Sequence, residues 1–353
     1  MNISPRNLKI GGASVAAVVV IAVVAVVAFA GGGDKKKVAA SPTPSPTPTP
    51  TVTTSAAPKP KPKPAINPFT GGKASNNPVV AVKIDDTANG RPQVGIDKAD
   101  IVYIEQVEGG LTRLLAVYNT TLPTVEAVRS TRASDPELVQ QYGPIAYVAS
   151  GGAPNPLQVL ARSNLKASIN DAGGPGFARD GSRSAPYNLT SNLAVVAAAL
   201  KAPKAKPIGL TWSALTKLSS APRATTVQTV VGGTPVRFDW NAQLKQYQRL
   251  IGGAVQHTAD GKVVATPNVI VQFCSVTVYP QDVDVMGNPS QFTHTIGKGR
   301  VVVFRNGHRL DGTWSRPTGT SGTTLRSALG RPIDLAPGGA WVILVANGAP
   351  LTS

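Results

Sequence analysis

The sequence predicts a single N-terminal transmembrane helix and an extracytoplasmic head, in which a mixed α/β or α+β domain precedes a smaller, mainly antiparallel β domain. Three observations support this fold class. Residues 10–30 are 21 consecutive uncharged residues, and residues 31–68 are rich in Pro, Thr and Lys. Beyond residue 68, alternating strand-like and helix-like patterns give way to short β runs between Gly, Asn and Asp turns.

The apolar segment at residues 10–30 is long enough to cross a bilayer. A helix rises about 1.5 Å per residue, so about 20 apolar residues span the hydrocarbon core. Arg6 and Lys9 precede the segment. They favour a cytoplasmic N-terminus at residues 1–9 and a single-pass protein of the cell membrane with its head outside. The alternative is a signal peptide that is cleaved after Ala30, which would release the head as a secreted protein.

Residues 31–68 predict a disordered, Pro/Thr/Lys-rich stalk. Proline fixes φ and removes amide donors, so we expect an extended spacer of about 3.1 Å per residue that holds the head away from the membrane. Of the 35 basic and 18 acidic residues in the chain, 27 basic and 17 acidic residues follow residue 68, so the head has a net charge of +10. Such a charge favours anionic partners.

The first half of the head, residues 69–205, has the pattern of the α/β domain. Apolar, β-branched runs predict strands over 79–85, 99–108, 112–119, 125–128 and from 146. Apolar runs with a helical pattern predict helices over 156–165 and 191–202. Another helix is predicted to begin at Asp135, with this residue as the N-cap and Pro136 in the first turn. Gly109 and Gly110 indicate a tight connection between the second and third strands.

A linker is predicted at residues 206–222, because prolines cluster on both sides of it. The β-rich domain then extends over residues 223–350. Its strands are predicted within 225–233, 234–241, 245–253, 268–280, 299–317 and 340–348. Short β runs of this kind, separated by turn residues, predict a small antiparallel sheet or barrel.

Arginines beside predicted loops and strand ends suggest a pocket for an anion, because a guanidinium group binds phosphate or carboxylate with two parallel hydrogen bonds. The candidate ligand-binding residues of this pocket are Arg113, Arg129, Arg132 and Arg183, with Arg91 and Asn188 nearby in the sequence. The alternative is that the arginines form ion pairs with Glu105, Glu108 and Asp135 and hold strands and loops together, which would not indicate a function.

Carboxylates in the same region suggest acid/base catalysis as a second possibility. Glu105 and Glu108 are three residues apart and would share a site only if a turn or bulge lies between them. Glu105 and Asp85, from a neighbouring strand, form an equally plausible pair. The alternative for all three residues is a surface or ion-pair role.

Trp314 and Arg316 form a second candidate ligand site on a predicted hairpin. The indole ring could stack on a sugar while Arg316 bonds to hydroxyl groups, or Trp314 could instead fix the hairpin to its core. Three scattered histidines, a single cysteine and the lack of a phosphate-binding Gly loop give no pattern for a metal or a cofactor, so neither is expected.

Several stretches of the chain carry a resemblance to a known family. They are NPFTG at 67–71, VAVKIDDTANGRPQVGIDKADIVYIEQVEGGLTRLLAVY at 80–118, VRSTR at 128–132, RDGSRSAPYNL at 179–189 and further matches to residue 348. In these stretches the chain resembles the YerB-type family, a bacterial domain-of-unknown-function family of exported, predicted lipoproteins. The resemblance implies two domains and an extracytoplasmic location, and no established reaction. This chain departs from the family in two ways. It lacks the cysteine that carries the lipid, because its one cysteine is Cys274, and it has Tyr187 where a histidine is expected.

These observations lead to two functional hypotheses. The first is a membrane-tethered envelope protein whose head binds an anionic polymer, a lipid-linked glycan or another phosphate or carboxylate ligand. The second is an envelope-acting hydrolase or phosphotransfer enzyme that uses arginines and carboxylates. The expected partners are the cytoplasmic membrane and an anionic envelope polymer or glycan. Docking of another protein on the β-rich domain stays open, and intracellular nucleic acid is not expected.

Overall fold

The structure is a computed structural model that describes residues 65–215, 218–284 and 286–353. The predicted cytoplasmic N-terminus, the transmembrane segment at residues 10–30 and the stalk before residue 65 lie outside the described residues. Within the described ranges, no helix is long and apolar enough to cross a membrane.

The first half of the described chain combines eight strands with three short α-helices. The strands are β1 (Val80–Asp85), β2 (Ile101–Gln106), β3 (Thr112–Tyr118), β4 (Thr124–Glu126), β5 (Ala146–Ala149), β6 (Lys166–Ile169), β7 (Phe177–Arg179) and β8 (Leu189–Asn192). The helices are α1 (Ser134–Val139), α2 (Pro154–Ala161) and α3 (Leu193–Ala199).

The second half is built from strands. They are β9 (Thr226–Val231), β10 (Thr234–Asn241), β11 (Gln246–Ile251), β12 (Ala254–Val255), β13 (Ala265–Thr266), β14 (Asn268–Val283), β15 (Pro289–His294), β16 (Gly297–Arg305), β17 (His308–Arg316), β18 (Thr324–Ser327), β19 (Ala340–Ala346) and β20 (Leu351–Thr352).

Strands from both halves form one mixed sheet, called here the large sheet. Its eleven strands have the order β18-β17-β16-β14-β19-β2-β3-β1-β5-β6, with β15 paired to β14. The β14–β19, β19–β2, β1–β5 and β5–β6 pairs are parallel, and the antiparallel β3 lies between β2 and β1. The carboxyl ends of β1, β2, β5, β6, β14 and β19 therefore point towards one edge of the large sheet, the position at which open sheets with parallel strands bind ligands.

Two hydrophobic layers cover the faces of the large sheet. On one face, Val82 and Ile104 pack in the same core as Phe238 of a six-stranded antiparallel sheet with the order β12-β11-β10-β9-β20 and β13 on β11. A three-stranded sheet, β4-β8-β7, and α3 complete this layer. On the other face, α1 and α2 contribute Leu138 and Leu160 to the second core.

Strand geometry explains why β1 carries both core and polar residues. Successive side chains of a strand point to opposite faces. Val80, Val82 and Ile84 belong to the core beneath the six-stranded sheet, so Lys83 and Asp85 point to the face that α1 and α2 cover. Every residue of β1 is buried, which places two charged side chains in the interior.

The predicted fold class is wrong. Strands account for 44% and helices for 13% of the described residues, so the head is mostly β and not a helix-rich α+β protein. The predicted transmembrane helix at residues 10–30 lies outside the described residues. The helices are short, with 6, 8 and 7 residues. Moreover, β14 and β19 extend the large sheet by parallel pairing, whereas a separate small antiparallel sheet was expected.

Most individual elements lie where the sequence predicts them, with shifted ends. The predicted strand at 79–85 is β1, and the predicted helix at 191–202 shortens to α3. Helix α1 begins at Ser134 and not after Asp135, because the Asp135 carboxylate accepts a hydrogen bond from the amide of Arg132 in the preceding turn. The predicted division into 69–205 and 223–350 stays a prediction, although both segments contribute strands to the large sheet.

We predict that a fragment ending at residue 206 does not fold on its own. It would lack β19, the parallel partner of β2, and the six-stranded sheet that covers Val82 and Ile104. Far-UV circular dichroism during heating would show no cooperative transition for the fragment, while the full-length chain would unfold cooperatively. A fragment transition at the temperature of the full-length chain would contradict this expectation.

Candidate anion-binding site

The predicted polar residues gather at the edge where the parallel strands end. β1 ends at Asp85, and Asp86 follows it, while Glu108 follows the end of β2. Arg113 lies at the start of the antiparallel β3. In the strand register it is opposite Asp85 of β1 on one side and Glu105 of β2 on the other. All five side chains are buried or nearly so, with exposures of at most 9%.

Asp85 organises the loop that follows β1. Its carboxylate accepts hydrogen bonds from the amide and hydroxyl of Thr87, at 2.7 and 2.5 Å, and its carbonyl accepts one from Nε2 of Gln93 at 2.8 Å. Gly90 packs directly against this carboxylate, and a Cβ atom at that position would overlap it. The loop at residues 86–93 is therefore held in one conformation.

Arg129 forms an ion pair with Asp85. Its Nε lies 2.9 Å from Oδ2 of Asp85, and the guanidinium carbon lies 5.3 Å from the centre of the Tyr187 ring. This distance permits a cation–π contact. Tyr187 thus covers an arginine, and the Arg129 side chain remains one-fifth exposed.

Arg183 connects two loops and lines a cleft between them. It donates hydrogen bonds to the carbonyls of Asn89 and Pro92, at 2.9 and 3.2 Å, and its Nη1 lies 3.2 Å from the carboxylate of Glu126. We call the cleft the arginine cleft. It has a volume of about 470 Å³. It is lined by Ala88, Asn89, Arg91, Arg183, Ser184, Ala185 and Tyr187.

Asp86 holds two arginines at the same time. Arg249 of β11 donates to both carboxylate oxygens, at 2.8 and 2.7 Å, and the hydroxyl of Thr112 donates to one of them. Arg91 donates to the Asp86 carbonyl at 2.8 Å and lies 3.6 Å from its carboxylate. Because one carboxylate serves two guanidinium groups, a net positive charge remains at Arg91.

Lys83, Glu105 and Asp135 form a buried ion network. Lys83 contacts Glu105 and lies 2.6 Å from Asp135, and all three side chains are at most 1% exposed. Burial raises the pKa of Glu105, and the charge of Asp135 adds to this effect. Burial also opposes ionisation of Asp135, but Lys83 and a hydrogen bond from Tyr147 outweigh it and lower the pKa of that carboxyl.

Arg132 and Glu108 form a second buried pair. The guanidinium donates to both oxygens of Glu108, one of them at 2.6 Å, and Ser290 of β15 bridges Glu108 to Asp282. Burial acts to raise the pKa of Glu108, but the hydrogen bond and charge of Arg132 prevail and lower it to about 2. The pair ties the β14–β15 hairpin to the end of β2.

The four arginines that the sequence groups into one pocket have different partners in the structure. Arg129 and Arg132, three residues apart, bind different carboxylates. Arg113 donates to the carbonyl of Ser130 at 2.9 Å, and burial lowers its pKa to about 10. Only Arg183 of the four lines the arginine cleft, where it is joined by Arg91.

The other candidate residues have structural partners. The side chain of Asn188 bonds to Arg179 and to the Asp180 carbonyl within its own loop. Trp314 is 2% exposed and donates to the Phe273 carbonyl, so it packs its hairpin against the core. Arg316 is fully buried and donates to the carbonyls of Glu137, Gly319 and Ser321.

Two residues that hold this region together were not identified from the sequence. Lys83 interrupts the apolar run of β1, and a lysine inside a buried strand is a signal that predicts a buried carboxylate partner. Arg249 offers no such signal, because it belongs to an alternating strand and its partner Asp86 lies 163 residues away.

The comparisons with known proteins agree with the resemblance seen in the sequence. The chain matches the N-terminal domain of DUF3048, described as a protein of unknown function, over residues 68–206 and the C-terminal domain over residues 226–342. It is 26% identical over 284 residues to the Bacillus subtilis (strain 168) protein named "Putative lipoprotein YerB". The aligned residues cover 77% of this chain and 82% of that protein.

The crystal structure of the YerB protein from Bacillus subtilis is similar to this structure. The TM-score is 0.69 at 22% sequence identity, and the match covers 82% of this chain and all of that chain. The likeness shows a shared fold. The predicted resemblance to a YerB-type domain-of-unknown-function family is confirmed.

We predict that Lys83→Met destabilises the protein by about 3–5 kcal/mol at pH 7, because it leaves the ionised Asp135 buried without its counter-charge. Urea unfolding followed by tryptophan fluorescence measures the change. Lys262→Met is the matched control, since Lys262 forms an exposed pair with Asp260, and it should not shift the midpoint. Equal midpoints for the two variants would contradict a stabilising role of Lys83.

The lowered pKa of Glu108 predicts a specific pH dependence. The stability that the ionised Glu108 contributes is fully present above its ordinary pKa of 4.5 and is lost as the pH falls towards about 2. Glu108→Gln should lower the melting temperature at pH 7 and should make its decrease between pH 4.5 and pH 2 shallower. Parallel melting curves for the two proteins across this window would argue against the ion pair.

Proposed function

The chain belongs to the DUF3048 family, and from this premise we propose that it is an envelope-associated protein whose head binds an anionic ligand in the arginine cleft. The ligand carries phosphate or carboxylate groups. Binding, and not catalysis, is the function that the geometry supports best.

The composition of the cleft wall carries this proposal. The charged residues among those that line the arginine cleft are Arg91 and Arg183. Their acidic partners, Asp86 and Glu126, are 3% and 1% exposed and lie behind the wall. A ligand in the cleft therefore meets guanidinium groups, while the carboxylates that orient them are kept away from it.

The arginines are also preorganised for binding. Arg183 is fixed by two backbone carbonyls and by Glu126, and Arg91 by the carbonyl of Asp86. A side chain that is already ordered loses less entropy when a ligand arrives, which improves affinity. Guanidinium groups left with free N–H donors bind phosphate and carboxylate by charge-assisted hydrogen bonds.

The carboxylates proposed for catalysis are engaged elsewhere. Glu105 is 1% exposed and contacts Lys83, Glu108 receives two hydrogen bonds from Arg132, and Asp85 receives those of Thr87. A general acid or base has to reach the proton it transfers, at about 2.6–3.2 Å. These contacts favour an ion-pair role and a binding function.

An extracytoplasmic, envelope-associated location rests on two supports. The Bacillus subtilis relative is named a lipoprotein, and the part of this chain after residue 68 has a net charge of +10. Such a charge favours encounter with the anionic polymers and glycans of an envelope. A protein partner remains an additional prediction.

The test measures binding of the full-length chain to a phosphate-rich wall polymer by isothermal titration calorimetry. Arg91→Ala and Arg183→Ala should each weaken binding by roughly 10- to 100-fold, since a hydrogen bond to a charged group contributes about 1.5–3 kcal/mol. Affinity should also fall as salt rises, because salt screens charges on the scale of about 10 Å at 0.1 M.

Arg326→Ala is the matched control, because Arg326 is exposed on β18, at the far end of the large sheet from β1. Melting temperatures identify any variant that has lost its fold, and Arg183→Lys, which keeps the charge, should retain part of the affinity. Wild-type affinity in both alanine variants would refute the proposal.

A further inference from the structure

A second cleft opens on the six-stranded sheet, and we call it the strand cleft. It has a volume of about 400 Å³, and its lining includes Arg91, Gln228, Pro235, Leu250 and Ile251. Most of the wall surface is apolar, and the apolar residues that line it are Pro235, Leu250, Ile251 and two glycines. The strand cleft thus differs in chemistry from the arginine cleft.

Arg91 connects the two clefts, because its side chain lines both. The residue is one-fifth exposed and is fixed beside Asp86, as described above. Arg91 is therefore the residue at which a ligand longer than one chemical group would contact both clefts. Each cleft lies within the range of about 300–1,000 Å³ that is typical of ligand pockets.

The charge of the strand cleft is concentrated at its junction with the arginine cleft. Arg237 also belongs to its lining, but Nε and Nη2 of Arg237 donate to both carboxylate oxygens of Asp239, at 3.0 and 2.8 Å. That pair is neutral as a whole. The strand cleft therefore presents positive charge at Arg91 and an uncharged, carbon-rich wall beyond it.

We infer that the ligand is a phosphorylated or carboxylated glycan or polyol, whose anionic group binds between Arg183 and Arg91 and whose neighbouring uncharged unit occupies the strand cleft. This inference rests on the proposed function and specifies its ligand class. A uniformly charged polyanion fits poorly, because its next charge would be desolvated against Leu250 and Ile251 without a free counter-charge.

The wall of the strand cleft suits the carbon skeleton of a sugar or polyol. Burial of the apolar CH and CH₂ groups of such a ligand against this wall favours binding. Gln228 and Thr234 add polar side chains to the same lining for hydroxyl groups. A ligand with an anionic group and an adjacent polyol therefore gains from both clefts, whereas inorganic phosphate gains from one.

The experiment compares five probes with the full-length chain by calorimetry. The probes are an oligo(glycerol phosphate), an oligosaccharide of alternating glucuronate and N-acetylglucosamine, a linear polyphosphate, inorganic phosphate and a neutral oligosaccharide. The first two combine anionic groups with uncharged units, and they distinguish phosphate from carboxylate. One of them should bind more tightly than the polyphosphate, the inorganic phosphate and the neutral sugar.

Gln228→Trp is designed to fill the strand cleft. Gln228 is exposed on β9, and tryptophan is compatible with a strand, so the fold should persist. The variant should weaken binding of the preferred oligomer by about tenfold, the effect of losing one or two buried CH₂ groups, and should leave inorganic phosphate binding unchanged. Thr225→Trp, at an exposed position outside the lining, is the control.

The outcomes separate this inference from the proposed function. If Gln228→Trp binds the oligomer as tightly as wild type does, or if polyphosphate binds as tightly as the oligomer, the inference is refuted. In that case the proposed anion site is still supported if Arg183→Ala weakens the binding of every phosphate ligand. If Arg91→Ala and Arg183→Ala leave all binding unchanged, both proposals fall.

Discussion

The buried ion pair between Asp86 and Arg249 links the large sheet to the six-stranded sheet. Its side chains are at most 1% exposed and share two hydrogen bonds. Removing one partner of such a pair leaves an uncompensated charge in the interior, which costs about 3–5 kcal/mol. The pair therefore fixes β11 against the end of β1. It thereby also fixes the walls of the arginine cleft and the strand cleft, both of which Arg91 lines.

The other buried charges at this edge of the large sheet are also paired with an opposite charge. Lys83 is neutralised by Asp135, Arg132 by Glu108, and Arg129 by Asp85. Each carboxylate satisfies a cation inside the protein, and several also fix loop backbone. What remains accessible in the arginine cleft is the outward side of Arg91 and Arg183. An electropositive cleft can thus arise in a region where most charges are paired.

This arrangement also explains why acidic residues near a cleft need not indicate catalysis. Glu105 has a perturbed pKa, which often marks an active site. Here the perturbation comes from burial and from a neighbouring carboxylate, and the Glu105 carboxyl contacts Lys83 in the interior. The accessible chemistry at this edge is that of guanidinium groups and of the carbon-rich wall beside them.

Local pattern was sufficient for part of this result. β-Branched runs predicted β1, β2, β3 and β19, because strand formation depends on residues close in sequence. The family was evident from contiguous motifs, and Arg91 and Arg183 were among the residues selected as ligand candidates. The fold class was wrong because the partners of the strands cannot be derived from one strand alone. β19 pairs with β2 across more than 230 residues.

The sequence by itself determined which segments form strands, the family, and a set of arginines and carboxylates from which a site could be built. Only the tertiary structure decided which carboxylate neutralises which cation, and therefore which arginines remain available to a ligand. The reason is physical. Charges are paired by distance in space and by burial, and neither quantity can be obtained from the order of residues along the chain.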